Sequence, residues 1–377
     1  MKVFIIPSWH PIPGRPQWCN WIKPHIEMVR LFAETTILYV NTEDEHAFSV
    51  SEIEDCFYYA SLPKDKDPHL RTIFKYQKYL DSYIRLLSEM YVMAVHKYGK
   101  PDIIHAHVSM PAGYGASVIG KEQGIPVIVT EHYSGFFSDN RFCWRLPSLY
   151  RKMYRDIAGL YCVSPGFSDR ASQKTGLKIT GLTPNPVNME VFNMDNSRTY
   201  SKELRLCSTG NHSLLKGTDI LFKALNLLPS ELKWRLTLVG KPTDRIEIPE
   251  NVKSKSTFIT ESVSQTKLAE IYNSSNIYIM SSRHETANIS MLEAMACGCH
   301  VVSNVIGSSE TLLRDDVSTL FHSTPESLAQ SINVAVAKLS EQNRLNLSQY
   351  VRGNYSIKIL SEKLKSIYIS TITNYKS

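Results

Sequence analysis

Short apolar runs alternate with longer amphipathic stretches through most of this 377-residue chain, and the alternation starts twice. In the first half, Val3–Ile6, Thr36–Val40, Ile103–His105, Val127–Thr130 and Leu160–Val163 are bounded by turn residues, which predicts buried strands. Trp18–Phe32 and Ile73–His96 carry apolar residues at helical spacing. The second half repeats the pattern with strands expected at Leu204–Ser208, Trp234–Val239, Ser256–Ile259, Ile277–Met280 and His300–Val302. Helices are expected there at Thr218–Leu228, Gln265–Asn273, Ile289–Cys297 and Pro325–Leu339, with a last one at Ile357–Tyr368. Repeated β-α alternation implies a parallel sheet covered by helices on both faces. Two series imply an α/β chain of two doubly wound, Rossmann-like domains.

A stretch rich in Pro, Asn and Ser, TPNPVNMEVFNMDNSRTYSKEL (183–204), separates the series and has the composition of a linker. The expected division is 1–190, 191–355 and a C-terminal helix within 356–377. Ligands of open parallel sheets sit at the carboxyl ends of the strands, so functional residues should fall just after strands, in a cleft between two facing domains.

Composition narrows the class. Hydrophobic content of 43% and charged content of 21% are those of a globular protein. The net charge of +6 is shared equally between the halves, so no basic face for nucleic acid is indicated. The seven cysteines include no C-x-x-C pair and several lie in apolar company, which fits a reducing cytoplasm. The start, MKVFIIPSWHP, is too short in apolar residues for a signal-peptide core. No apolar run approaches the roughly 18–20 residues of a membrane span, so any membrane contact is expected to be peripheral.

The most informative segment is SSRHETANISMLEAMACGCHVVSN (281–304). It places Glu285 in the loop after one expected strand and Glu293 inside an otherwise apolar helix. Asn288 or Ser290 can cap that helix and Gly298 can end it. Glu293 then lies in its first two turns, where a carboxylate suits the positive helix end. Free N–H groups from Ile289 to Met291 would favour an anion. A carboxylate among apolar residues needs donors, and sugar hydroxyls are donors of that kind. Structural pairing of Glu293 with a Lys or Arg, and a glycosidase-type carboxylate pair, remain open on the residues alone.

The block 281–310 resembles the E-x7-E region of retaining glycosyltransferases with the GT-B fold, in particular the large family four (group 1). The LEAMACG core, the strand VVS and the later Gly307-x-x-Glu310 fall in that family's order. The resemblance implies that Glu285 contacts the donor sugar and Glu293 the nucleotide ribose. The family's Gly-Phe-Gly type turn is replaced here by Thr286-Ala287-Asn288. A second segment, STGNHSLLKGTDILFKAL (208–225), resembles the family's Gly-Arg-x4-Lys-Gly element. It implies that Gly210 and Lys216 hold the donor diphosphate. Asn211 stands where the family has an arginine, and His212 or Arg283 are the candidate replacements.

In the first half, PDIIHAHVSMPAGYGAS and GIPVIVTEHYSGFF (101–117 and 124–137) complete the resemblance. His132 matches the family histidine that contacts the donor sugar near the reacting carbon. His107 is either an acceptor or cleft residue or a histidine satisfied by local backbone. Gly14, in the Pro-rich loop after the first strand, is the candidate for the family's phosphate-approaching glycine. The absence of G-x-G-x-x-G there argues against a nicotinamide site. His105, His107 and His132 have the residue type of a metal site, but zinc-type spacing is absent and the resemblance implies metal-independent transfer. No cofactor is expected.

The segment NRFCWRLPSLYRKMYRD (140–156) carries five basic residues among aromatics. That suits an anionic membrane surface or lipid-linked acceptor, or simply a helix with a solvated basic face. The resemblance as a whole implies a retaining transferase that moves a sugar from a UDP- or GDP-linked donor to a glycan or lipid-linked acceptor. Polysaccharide or glycolipid assembly at the inner membrane face is the expected setting. A sugar-nucleotide epimerase and a non-catalytic nucleotide-sugar binder are the alternatives.

Overall fold

The computed structural model describes residues 1–12, 19, 21–42, 48–54, 57–62, 73–133, 147–197, 203–306, 309–313 and 318–376. They divide into two compact units, Met1–Pro184 with Leu360–Ser377, and Asn185–Ile359.

The first unit carries strands β1 (Lys2–Pro7), β2 (Glu34–Asn41), β3 (Phe48–Glu54), β4 (Phe57–Ser61), β5 (Ile103–His107), β6 (Val127–Glu131), β7 (Gly159–Cys162) and β8 (Gly181–Leu182). Their order in the sheet is β3-β4-β2-β1-β5-β6-β7-β8. All pairs are parallel except the β3–β4 edge. The central strands are buried along their length, as the near-continuous apolar runs require of a sheet covered on both faces. β1 and β5 are neighbours although the chain runs from β1 to β2, so the strand order reverses between them. Pro7 pairs with His107, and His107 with Thr130 of β6, which brings the ends of β1, β5 and β6 level. Helix α1 (Ile22–Arg30) buries Ile22, Ile26 and Val29, and also His25, on the face towards the sheet.

The second unit carries β9 (Leu204–Thr209), β10 (Trp234–Val239), β11 (Ser256–Ile259), β12 (Ile277–Met280), β13 (His300–Asn304) and β14 (Ser318–Phe321). The order is β11-β10-β9-β12-β13-β14, parallel throughout. Its reversal lies between β9 and β12. Helix α2 (Thr218–Asn226) follows β9, and helix α3 (Ile289–Ala296) follows β12. One face of this sheet packs around α3 and the other around α2 and the helix Pro325–Lys338.

The final helix α4 (Ile357–Lys376) is longer than its apolar pattern predicts. From Leu360 onward it belongs to the first unit, burying Leu360, Leu364 and Tyr368 at four-residue spacing. Ser361 Oγ donates to the Met28 carbonyl at 2.9 Å, and Tyr368 Oη meets His105 Nδ1 at 2.7 Å. Among the described residues no helix is long and apolar enough to cross a membrane. Of the basic aromatic segment, 140–146 lies outside the described residues, and Pro147–Asp156 is a helix that buries Leu149, Tyr150 and Met153.

Candidate functional site

In the second unit the predicted residues collect at the carboxyl ends of β9 and β12, where the strand order reverses. The loop after β9 runs from Gly210 to Gly217 and the loop after β12 from Ser281 to Asn288. Contacts that bind these loops to each other include Ser281 Oγ donating to the Lys216 carbonyl at 2.9 Å and Arg283 N–H donating to the Leu215 carbonyl at 2.9 Å. Gly217 caps α2 with φ +65°, and a Cβ there would lie 1.9 Å from the Ser281 carbonyl oxygen. Only glycine permits this approach. A small open pocket lies here, lined in part by Gly210, Asn211, Lys216, Tyr278 and Ser282.

Lys216 Nζ donates to Glu285 Oε1 at 2.6 Å, and Ser282 Oγ donates to the same oxygen at 2.8 Å. The two residues expected to hold diphosphate and sugar thus neutralise each other. Asn211 is exposed beside them. Neither candidate replaces the missing arginine. The Arg283 guanidinium is held by Asp219, with two bonds of 2.8 Å, and by the Leu214 carbonyl. His212 is buried with its ring against Phe258, and burial lowers its pKa, so it is not a cation.

Asn288 caps α3, its Oδ1 accepting from the Met291 N–H at 3.1 Å. The expected cradle of three free amides is therefore reduced: Met291 is satisfied by the cap, leaving Ile289 and Ser290. Thr286 is half-buried, and Ala287, buried, accepts from Asn185 Nδ2 at 3.2 Å. Glu293 is 6% exposed, and no hydrogen bond reaches its carboxyl group among the described residues. Burial raises its pKa from 4.5 to about 8, so it is mainly protonated at neutral pH. The structural ion pair left open by the sequence is absent for Glu293 among the described residues. Tyr278 lies within electrostatic reach of both carboxylates, its hydroxyl 3.0 Å from Thr209 Oγ1. Its pKa is pushed up by burial and further by the charges of Glu285 and Glu293.

In the first unit, His107 ends β5 and His132 follows β6, and their rings meet with Nδ1 of His107 3.0 Å from Nε2 of His132. The indole of Trp21 covers His132 at 4.3 Å between centroids. Val108, directly after His107, has φ +76°, a strained conformation for a β-branched residue. Its N–H donates to the Thr130 carbonyl at 2.8 Å. Sequence reasoning missed the residue that organises this corner. Glu131, fully buried, accepts from the backbone N–H groups of Ser109, His132 and Tyr133 at 2.9, 2.9 and 2.7 Å. Burial raises its pKa and these bonds oppose the rise. Its position at the strand end beside the histidine was the available signal.

The metal-type grouping differs from the one the sequence suggested. His105 is spent on Tyr368 and Thr130, at 2.7 and 2.8 Å. The third ring beside His107 and His132 is His25, from α1. Gly14 and Gly307 lie outside the described residues, and nothing is described of the Glu310 side chain.

Comparison with known proteins adds the following. Residues 203–338 match the family model of glycosyl transferases group 1, and residues 28–191 match that of Glycosyltransferase Family 4. The sulfoquinovosyl transferase SQD2 of Arabidopsis thaliana is 23% identical over 236 residues, 58% of this chain and 45% of that protein. The chain matches between 34% and 63% of the length of its curated relatives. Among solved structures, sucrose-phosphate synthase from Thermosynechococcus elongatus superposes with a TM-score of 0.72 at 16% identity, over 99% of this chain and 100% of that one. Anabaena Alr3699/HepE in complex with UDP gives 0.70 at 13%, over 98% and 100%. At these identities the likeness establishes the two-sheet GT-B fold.

Proposed function

Since the chain belongs to the group 1, Family 4 glycosyltransferases, we propose that it is a retaining, metal-independent transferase. It moves a sugar from a UDP- or GDP-linked donor to a hydroxyl of a glycan or lipid-linked acceptor, in polysaccharide or glycolipid assembly on the cytoplasmic side of a membrane.

The observation that carries this reading is the Glu293 carboxyl group, buried in the first turns of α3 with no donor among the described residues. A buried carboxyl without donors is costly, and the two hydroxyls of a ribose supply what it lacks. The neighbouring Lys216–Glu285 pair supports the same reading. An arriving diphosphate competes for the Lys216 ammonium, which releases Glu285 to accept from a sugar hydroxyl. Gly210, Asn211 and the Ile289 amide complete the diphosphate side, and Thr286, Ala287 and Asn288 shape the sugar side. Transfer with retention then has the acceptor oxygen form its bond on the face from which the diphosphate oxygen departs, that oxygen taking the acceptor's proton. Negative charge builds on the leaving phosphate, where Lys216 and the α3 amides stabilise it. His132 is assigned to the donor sugar, with His107 behind it.

Nucleotide binding and turnover are tested together. Calorimetric titration with UDP and GDP should give saturable binding of one of them, weakened at least about tenfold (about 1.4 kcal/mol) in Glu293→Ala and in Lys216→Ala. Transfer from the matching sugar nucleotide should yield a product of unchanged anomeric configuration by NMR. Binding without turnover on any acceptor would turn the reading towards a non-catalytic binder, which the unreplaced arginine at Asn211 favours. A changed sugar without an acceptor would mark an epimerase. Unaltered affinity in both variants would remove the nucleotide from this site.

A further inference from the structure

We infer that His25, His107 and His132 form a binding site for a borderline transition-metal cation, Zn2+ in particular, in the first unit. One nitrogen from each ring lies within 4.8 Å of the other two. Two nitrogens bound tetrahedrally to zinc at about 2.0–2.1 Å stand about 3.3–3.4 Å apart. The separation between His107 Nδ1 and His132 Nε2 is already 3.0 Å. A small rotation that opens this contact and draws in His25 completes a three-histidine face, with water as the fourth ligand.

The three rings come from separate, well-packed places: the buried face of α1, the end of β5 and the residue after β6. They are arranged edge to face, His25 lying 5.1 Å from His107 and 5.0 Å from His132 between centroids. Trp21 closes one side of His132 and Glu131 fixes the backbone beneath it. His132 is half-buried where the other two are buried, so it marks the open side. His107 is fully buried, and its Nε2 has no hydrogen-bond partner among the described residues. That nitrogen stays as it is when Nδ1 binds the cation, so the site rests on the Nδ1 side of the ring and on the convergence of the three imidazoles there.

The site has a consequence that rests on the transferase reading. His132 bound to a metal has no lone pair for a donor sugar, so zinc acts as an inhibitor of transfer while transfer itself requires no metal.

The test uses the full chain stripped with a chelator. Titration with Co2+ should give one equivalent with the intense visible absorption of a tetrahedral site, discharged by one equivalent of Zn2+. His25→Gln and His107→Gln should each weaken cobalt binding by at least about 100-fold, the upper end of what losing even an outer-sphere partner costs. His322→Gln, at an exposed position, should leave it unchanged. Circular dichroism on each variant checks that it is folded, and the wild-type spectrum needs no variant. A weak octahedral spectrum, no binding, or a band that survives in folded His25→Gln overturns the site. Because cobalt binding is read without turnover, its failure is distinguishable from failure of the transferase reading. Tetrahedral binding with no loss of transfer at one equivalent of Zn2+ would overturn the inhibitory role.

Discussion

The pKa of Glu293 gives the proposed ribose contact a proton signature. With a pKa of about 8, its carboxyl group is mostly protonated in the free protein at pH 7. Two ribose hydroxyls donating to it would stabilise the carboxylate and return its pKa towards the ordinary range. Binding at pH 7 should then release about 0.9 proton per nucleotide, falling to about 0.1 at pH 9, where the free protein is already ionised. Affinity should rise about tenfold between pH 7 and pH 9 and level off. Calorimetry in buffers of different ionisation enthalpy reads the released proton. A terminal phosphate loses its own second proton near pH 6, and the Glu293→Gln variant corrects for that contribution. Equal proton release in wild type and Glu293→Gln, or affinity flat over this range in wild type, would refute the contact. The same group sets a stability trend. Its folded-state pKa lies above the unfolded 4.5, so its contribution is fully present below pH 4.5 and is lost as pH rises through about 8. The loss is about 1.4 kcal/mol per pH unit and about 5 kcal/mol over the whole window. Urea denaturation at pH 6 and pH 9 should show wild type losing about 2.6 kcal/mol relative to Glu293→Gln.

Three further substitutions probe the scaffold. Gly217→Ala drives a methyl group into the Ser281 carbonyl and should cost at least about 2 kcal/mol, with weaker nucleotide binding. A variant of unchanged denaturation midpoint would mean that the two loops are not held together there. Glu285→Gln removes the partner of Lys216. It should leave UDP or GDP binding equal or tighter while turnover falls at least about tenfold, and nucleotide affinity falling with turnover would contradict the exchange of partners. Glu131→Gln turns one acceptor towards a backbone N–H as a donor and should destabilise by about 1–3 kcal/mol. Denaturant titration decides it, and a neutral result would deny Glu131 its organising place.

The fold was legible where burial is two-sided: Ile277–Met280, buried at every position, stands at the bounds its apolar run gives. Trp234–Val239 and the part-exposed edge strand Ser256–Ile259 also stand at their expected bounds. β3 reads FSVSEIE, and its polar positions belong to an antiparallel edge that needs no continuous apolar run. For the second unit's loops, the spacing of Glu285 and Glu293 and the Lys216-Gly217 step were visible because they are local in sequence. His25 was not, because it reaches His107 and His132 only through the docking of α1. Asp219, in the first turn of α2, and Arg283, in the loop after β12, pair across 64 residues of sequence, which no local pattern reports.

The second unit holds its two carboxylates by different physical means. Glu285 is paired with Lys216 at 2.6 Å, the two side chains keeping some contact with water. Among the described residues no cation pairs with Glu293, and burial raises its pKa to about 8, so it is mainly protonated at neutral pH. A diphosphate must undo the first arrangement, since Lys216 cannot neutralise phosphate and Glu285 at once. A ribose must undo the second, since its hydroxyls donate best to a carboxylate. The freed Glu285 is then itself in need of donors, which the nucleotide lacks and a sugar supplies. On the proposed reading, nucleotide and sugar thus answer different needs of these two carboxyl groups. A donor carrying both is favoured over either part alone, which is the discrimination a transferase needs before an acceptor arrives.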